Sequence, residues 1–520
     1  MNFKIIKSVP VLIFLILMFF LFSCTSDKKN ETDVDETADT QGMTDETVND
    51  DPIVDEIAKT DEAQEVDDEA ETSDEIVDET TEEDDDIADD DVVEPYDPRV
   101  APALCGVPEY TWVDSPELGY ILQNEKILNE QTTRLLLIAA KTQLDDEVKL
   151  KRIPAHNVTV YRVRYQTQDK GKLVDATGFI AVPDKDETFP VLSVLHGTAG
   201  LCDACAPTLD TSLEGPGGVA ALLASFGYIV VFPDYIGLKS MGAPSEELHS
   251  YLVGEPTAIA SLDMIRAVPN LLTLAGEKAT AGDSIITGGS QGGHAAAFLT
   301  RLAPYYAPEI NIRGAVWGIP PTDLEAHMDK ALNEMISASG NTALFFLSSN
   351  EWYTKDPSNY SEVFVSPYDT TLHTAAKTKC DLDDEIDEDE VTELSDLFSE
   401  DVLNAAALDP FLSDYDPWQC YMKENSVVST SIPRLDNIPV FMILSENDTL
   451  VYPDIERASM QKLCDQGYQI QFKECAGASH SKGFLWSLDD QMDWLDARMR
   501  NEPLTDLCTL HDPVTCSSTP

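Results

Sequence analysis

Six short apolar runs recur along the chain, and helical patterns fill the intervals between them. The runs are Val191–Leu195, Tyr228–Phe232, Ser284–Thr287, Ile312–Trp317, Val440–Leu444 and Gln469–Lys473. Between the first two, Gly218–Phe226 reads as helix. Between the second and third, Ile259, Leu262, Ile265 and Leu272 recur at helical spacing. Continuous apolar strands joined by helical crossovers are buried on both faces, so the pattern predicts a mostly parallel central sheet with helices on both faces. Val160–Gln166 and Leu173–Val182 precede it as a leading pair of strands. This α/β core is expected over residues 99–320 and 437–500.

One interval breaks the rhythm. From Pro320-Pro321 to Pro439 more than 110 residues pass without a regular strand, and a structureless loop of that length does not fit a compact domain. Helical patterns at Leu324–Met335 and Val391–Leu397, with Phe345, Phe346, Trp352 and Tyr353, predict an inserted, mainly helical cap over residues 321–436. Its place beside the C-terminal edge of the sheet is where α/β proteins bind ligands. Residues 501–520 follow as a Cys-containing tail.

The N-terminus reads as an export signal over residues 1–23. Lys4 and Lys7 precede the apolar run Val11–Phe22, which is too short for the ~20 residues a membrane span requires. Leu21-Phe22-Ser23-Cys24 resembles the bacterial lipobox, which implies lipid attachment at Cys24 and a membrane held through that anchor. Thr25 rather than Asp follows Cys24, favouring the outer membrane or cell surface of a bacterium. Residues 24–98 then form an acidic linker: positions 25–98 carry 33 acids against three lysines, and no aromatic precedes Tyr96. Such a segment cannot bury enough apolar surface to order itself, so a disordered tether is expected. Half of the chain's net charge of −61 lies there. The acidic balance excludes nucleic acid as a partner, because phosphate binding needs a basic surface.

The chemistry is concentrated in Gly288-Gly289-Ser290-Gln291-Gly292-Gly293, which follows the run Ser284–Thr287 and opens a helical stretch. A G-x-S-x-G sequence between strand and helix presents its serine on a tight turn above the sheet, and the glycines leave room for it. A Gly-rich phosphate loop is the rival, but no Gly-Lys-Ser/Thr follows. A serine nucleophile needs a base, and the base needs an orienting acid, here in the chain order Ser, acid, His. Asp448 lies just past the strand Val440–Leu444 and is preferred to Glu446 and Asp454. His480 follows the last strand in a small-residue loop and is preferred to His511. The oxyanion donors are expected to be the N–H of Gln291 and that of Thr198, with Ala199 the second choice for the latter. His196 reads as structural and His294 as a helix or pocket-wall residue. No metal and no organic cofactor is called for.

Together these stretches resemble a known family. His196-Gly197-Thr198-Ala199-Gly200 with Cys205-Ala206-Pro207, Pro233-Asp234-Tyr235-Ile236-Gly237, His249-Ser250-Tyr251-Leu252, the serine turn, and Gly318-Ile319-Pro320-Pro321-Thr322-Asp323-Leu324 are similar to the secretory lipase family of α/β-hydrolases. The resemblance covers most of residues 155–495. It implies the α/β-hydrolase fold with a helical lid where the cap is expected, and hydrolysis of small-molecule or lipid carboxylic esters by Ser290, Asp448 and His480. Lys239, where a small residue is usual, and the long acidic lid depart from the pattern. A serine peptidase of the same fold, or a non-catalytic hydrolase-like surface binding protein, are the alternatives. Ester against amide turnover separates the first, and covalent labelling of the serine the second. No obligate protein partner is evident.

Without Cys24 nine cysteines remain in an exported chain, where disulfides are expected. Local spacing suggests Cys202–Cys205, Cys464–Cys475 and Cys508–Cys516, with Cys380–Cys420 across the cap and Cys105 unpaired. A redox role for Cys202-x-x-Cys205 lacks the following helix it needs. The acidic run Asp381–Glu385 fails as a calcium loop, with Ile386 at position six and Thr392 at position twelve.

Overall fold

The computed structural model describes residues 100–520, apart from 102–103, 130–132, 145–146, 383–384, 387–389 and 436. The export signal, Cys24 and the acidic linker lie outside the described residues, as does part of the Asp381–Glu385 run. The strands are β1 (Val100–Ala101), β2 (Tyr110–Thr111), β3 (Ile121–Leu128), β4 (Val158–Asp169), β5 (Lys172–Pro183), β6 (Thr188–Leu195), β7 (Ile229–Pro233), β8 (Thr280–Gly289), β9 (Ile312–Gly318), β10 (Val440–Ser445) and β11 (Ile470–Cys475). β1 and β2 form a small separate pair. The other nine make one sheet in the order β11-β10-β9-β8-β6-β7-β5-β4-β3.

From β11 to β7 every neighbouring pair is parallel, while β5, β4 and β3 are antiparallel additions beyond β7. The six apolar runs between Val191 and Lys473 lie in strands, overhanging them by at most one residue. β3 carried no such signal, because an edge strand that is mostly exposed has no reason to be apolar. Alternation of side chains then fills two cores. Val191 and Leu195 of β6, Ile286 of β8 and Met442 of β10 pack under the helices Gly254–Ala275 and Gln291–Tyr306. Leu192, Val194, Ile285 and Phe441 face the opposite layer, with the helices Pro216–Ser225 and Leu488–Met499. The parallel register pairs Leu195 with Gly288, and Gly289 with Gly318. The loops leaving β6, β8 and β9 therefore emerge together at one edge.

Between β9 and β10 the described residues are mainly helical, with helices at Leu324–Asn333, Ala338–Tyr353, Tyr360–Val363, Tyr368–Ala376, Glu400–Ala406 and Trp418–Glu424. They bury a third apolar cluster around Phe345, Phe346, Phe364, Phe398 and Trp418. Leu201, Leu238 and Tyr251 from the core loops join it, and each such large buried side chain contributes roughly 1.5–3 kcal/mol.

The disulfides differ from those suggested by local spacing. Cys105 pairs with Cys420, Cys205 with Cys380, Cys464 with Cys508 and Cys475 with Cys516, and among the described residues the free thiol is the buried Cys202. Bonding follows Cα separations of 5.3–5.9 Å rather than nearness in sequence. The tail runs back along β11, where Cys508 N–H donates to Ile470 O and Val514 N–H to Glu474 O. That course carries Cys508 to Cys464 and Cys516 to Cys475. Two further bonds fasten the helical insertion, one to Cys105 and one to the loop after β6.

Candidate active site

The chain reverses between β8 and the helix Gln291–Tyr306 on a single residue, Ser290, held at φ 58° and ψ −122°. Side chains seldom occupy that region, and the surroundings impose it. Ser290 N–H donates to Gly318 O at 2.9 Å, and Gly293 N–H donates to Ser290 O at 2.8 Å. The flanks leave no room for a side chain. A Cβ on Gly288 would stand 2.1 Å from Gly292 O, and one on Gly292 would stand 2.0 Å from Leu195 O. The glycines thus let strand, helix and the β6 loop close on one another, and the hydroxyl is left at the sheet edge.

His480 starts the short helix His480–Trp486 after β11. Its Nε2 lies 2.9 Å from Ser290 Oγ, and its Nδ1 lies 2.8 and 3.0 Å from the two Asp448 oxygens. Asp448 is almost fully buried, and its Oδ1 accepts the N–H groups of Leu450 and Val451, each at 2.9 Å. A carboxylate fixed in this way takes a proton-bearing Nδ1, which leaves the Nε2 lone pair for the serine hydroxyl. The competing acids lie elsewhere. Glu446 accepts Gly477 N–H at 2.6 Å, and Asp454 lies in the first turn of the helix Pro453–Asp465. His511 pairs with Asp506 on the exposed tail.

The loop after β6 lies against the serine turn: a Cβ on Gly197 would be 3.8 Å from that of Ser290. Thr198 follows, its hydroxyl donating to Tyr251 Oη at 3.3 Å. Gln291 opens the helix after the serine, so its N–H is among those a helix start leaves without an intrahelical partner. The Gln291 side-chain amide donates from Nε2 to His249 Nε2 at 2.6 Å, while His249 Nδ1–H donates to Ile236 O at 2.9 Å. Burial depresses His249 to a pKa of about 3, which keeps it neutral and able to accept. His196 is likewise lowered to about 4 by burial, with its ring nitrogens facing Gly197 O and Asp234 O. His294, also pushed to about 4, faces Asn425 O at 2.8 Å. Asp234, raised to about 6 by burial, accepts from Thr177 and Thr208 and ties the loops behind the site together.

An open pocket lies beside Ser290, lined by Tyr251, Leu252 and Leu450 from the core and Leu324, Met328 and Thr342 from the insertion. Sequence reasoning missed one polar pair beside it, of which His327 lines the pocket. His327 Nε2 meets Glu456 Oε1 at 2.8 Å, and Glu456 also accepts from Thr322 N–H and its hydroxyl. The two are 129 residues apart with no motif joining them, so no local signal could have found the pair. His249 and Tyr251 did stand in a recognisable stretch, but nothing in it announced their contacts with Gln291 and Thr198.

A serine on a tight turn at the edge of a mostly parallel sheet, with a mainly helical segment between β9 and β10, can be compared with known hydrolases. A model of the secretory lipase family matches residues 206–507, more than half of the chain. The chain belongs to the secretory lipase family. Among relatives of this secretory lipase, lipase A of Arthroderma benhamiae is 26% identical over 390 residues, covering 69% of this chain and 76% of that protein. Lipase A of Moesziomyces aphidis is 30% identical over 181 residues, or 32% of this chain and 36% of that protein. Among solved structures, Candida antarctica lipase A has a TM-score of 0.58 at 20% identity, covering 77% of this chain and 86% of that one. The rice cell wall degrading esterase LipA from Xanthomonas oryzae also has a TM-score of 0.58, at 18% identity, over 75% of this chain and 100% of that one. At these identities the likeness establishes the α/β-hydrolase fold. Family membership makes the chain a lipase-like serine hydrolase acting on lipid or ester substrates. A secretory family and four disulfides both suit an exported protein.

Proposed function

We propose that this secretory lipase hydrolyses carboxylic esters through an acyl-enzyme, with Ser290 as nucleophile, His480 as general base and acid, and Asp448 as its orienting carboxylate. The observation that carries the reading is the unbroken line Ser290 Oγ, His480 Nε2, His480 Nδ1, Asp448. As Ser290 Oγ attacks the ester carbonyl, its proton passes to His480 Nε2. Asp448 stabilises the imidazolium that forms, and the N–H groups of Gln291 and Thr198 receive the oxyanion, each such donor contributing about 3–4 kcal/mol. Collapse of the tetrahedral intermediate returns the proton to the departing alcohol. Water then attacks the acyl-serine by the same route in reverse, freeing the acid.

Residues 321–436 act in this reading as a lid that supplies part of the substrate cavity. Residues 1–23 are the export signal, Cys24 carries the lipid, and 24–98 are a charged spacer between anchor and enzyme. The test of the chemistry is hydrolysis of short-chain nitrophenyl esters together with fluorophosphonate labelling. Both are expected in the wild type and neither in Ser290→Ala, and retained turnover in that variant overturns the assignment. For the anchor, Cys24→Ala is expected to move the protein from the membrane to the soluble fraction, and an unchanged distribution overturns that part alone.

A further inference from the structure

A second pocket lies at the start of the helix Gly254–Ala275 and shares no lining residue with the one beside Ser290. The segment before the core supplies Tyr110 and Trp112 to its wall, and the insertion supplies Trp352, Tyr353 and Glu424. Glu255 enters from the helix, and the rest of the lining is apolar apart from Asn425. The two charged residues of this wall are thus both acids, and no Lys, Arg or His joins them.

The protein satisfies these polar groups unequally. Asn425 is fully engaged, its Nδ2 donating to Tyr353 Oη and Tyr421 O while its Oδ1 accepts Gly254 N–H. Glu255 Oε1 accepts from Tyr110 Oη and Trp112 Nε1, and Glu424 Oε2 accepts from the N–H and the hydroxyl of Ser431. The other oxygens, Glu255 Oε2 and Glu424 Oε1, receive no hydrogen bond from the described residues, and neither is sealed off from contact. Neither carboxylate forms an ion pair with a described residue, whereas the enclosed Asp263 meets Arg266 and the enclosed Glu474 meets Arg457. An ionised carboxylate against apolar walls is unfavourable until a cation reaches it. Burial accordingly holds Glu255 well above the usual carboxylate range.

The walls suit a positive charge of one particular kind. The rings of Trp352 and Tyr353 stand at 85° to each other with centroids 4.7 Å apart, which makes an aromatic corner. One face of Trp352 already carries a cation: Lys170, outside the pocket lining, donates to Trp352 O and holds its Nζ 4.3 Å from the ring centre. A strongly hydrated metal ion gains little from such surfaces. An alkylated ammonium presents its apolar groups to the rings and its charge to the acids at the same time.

We infer that this pocket binds a small organic ammonium ion, with its charge toward Glu255 and Glu424 and its alkyl groups against Tyr110, Trp352 and Tyr353. The site is separate from the Ser290 pocket, so binding there does not depend on the ester chemistry.

The test is calorimetric titration of the full-length enzyme at pH 8, above the value of about 7 for Glu255. Choline is compared with 3,3-dimethyl-1-butanol, which has the same shape without the charge. Choline is expected to bind with a Kd of about 1 mM and the alcohol at least roughly tenfold more weakly. Glu255→Gln and Glu424→Gln keep the hydrogen-bonding shape and remove the charge, and each should weaken choline roughly tenfold. Ester turnover should stay at the wild-type level in both variants, which shows that they are folded. Equal binding of the alcohol overturns the assignment of a cation. Choline binding that survives both substitutions comes from the acidic surface at large and overturns the site, as does the absence of any choline binding.

Discussion

Asp448 grips His480 with both carboxylate oxygens, at 2.8 and 3.0 Å from the same ring nitrogen, while two backbone N–H groups hold one of those oxygens in place. The carboxylate therefore sets both the orientation and the tautomer of the imidazole. Asp448→Asn is nearly isosteric but presents an amide that favours the proton on the wrong nitrogen. Its kcat is expected to fall by about 10⁴ with little change in KM. Steady-state kinetics on a chromogenic ester check this, and a loss confined to KM would contradict the proposed role.

The serine turn makes a steric prediction. Gly292→Ala forces a methyl to within 2.0 Å of Leu195 O, and backbone cannot swing aside as a flexible side chain can. The expected cost is at least ~2–3 kcal/mol in urea unfolding. Gly340 is the contrast: it lies within the helix Ala338–Tyr353, and a Cβ there meets nothing within 4 Å. Gly340→Ala should stabilise by roughly 0.5–1 kcal/mol, since the only effect is on backbone entropy. Equal responses from the two variants would refute the packing argument.

The disulfides give a covalent map that mass spectrometry reads directly. Non-reducing digestion should yield Cys105–Cys420, Cys205–Cys380, Cys464–Cys508 and Cys475–Cys516 peptides, with Cys202 as a free thiol that reacts only after unfolding. Replacing Cys105 and Cys420 together with serine opens a loop of 315 residues and should cost about 2–5 kcal/mol. Recovery of a Cys202–Cys205 peptide from native protein would overturn this map.

What the sequence disclosed and what it hid divide along a physical line. The runs ending at Leu195, Thr287 and Leu444 were readable because strands buried on both faces must be continuously apolar. The turn at Ser290 was readable because its glycines answer to contacts fixed by the turn itself. Asp448 and His480 could be placed by their offsets beyond strands, and the fold brings His480 to Ser290 and Asp448 to His480. Cys105 and Cys420 could not be matched, since 315 residues separate them and only the packed insertion brings them together. The pairing of His327 with Glu456 is of the same kind. β3 escaped for the opposite reason: at the sheet edge Gln123, Asn124, Glu125 and Lys126 face solvent, so no apolar signal is required of them.

Glu255 makes stability depend on pH in a direction opposite to that of most salt-bridged carboxylates. Its side chain is partly buried at the start of the helix Gly254–Ala275, where it accepts from Tyr110 Oη at 2.7 Å and Trp112 Nε1 at 2.9 Å. Burial outweighs these bonds and pushes its pKa up to about 7, from 4.5. Between those values the folded chain keeps the proton and the unfolded chain releases it. The native state binds more protons, so this group's contribution is fully present below pH 4.5 and is lost as pH rises toward 7. Glu255→Gln supplies a permanently neutral acceptor and removes the effect. Measured by urea unfolding from pH 5 to pH 8, the stability of Glu255→Gln relative to wild type should rise by about 2.5 kcal/mol, most of it below pH 7 and levelling off above. A difference that stays flat across that range would place the wild-type charge on Glu255 already at pH 5, and the burial argument would fail with it.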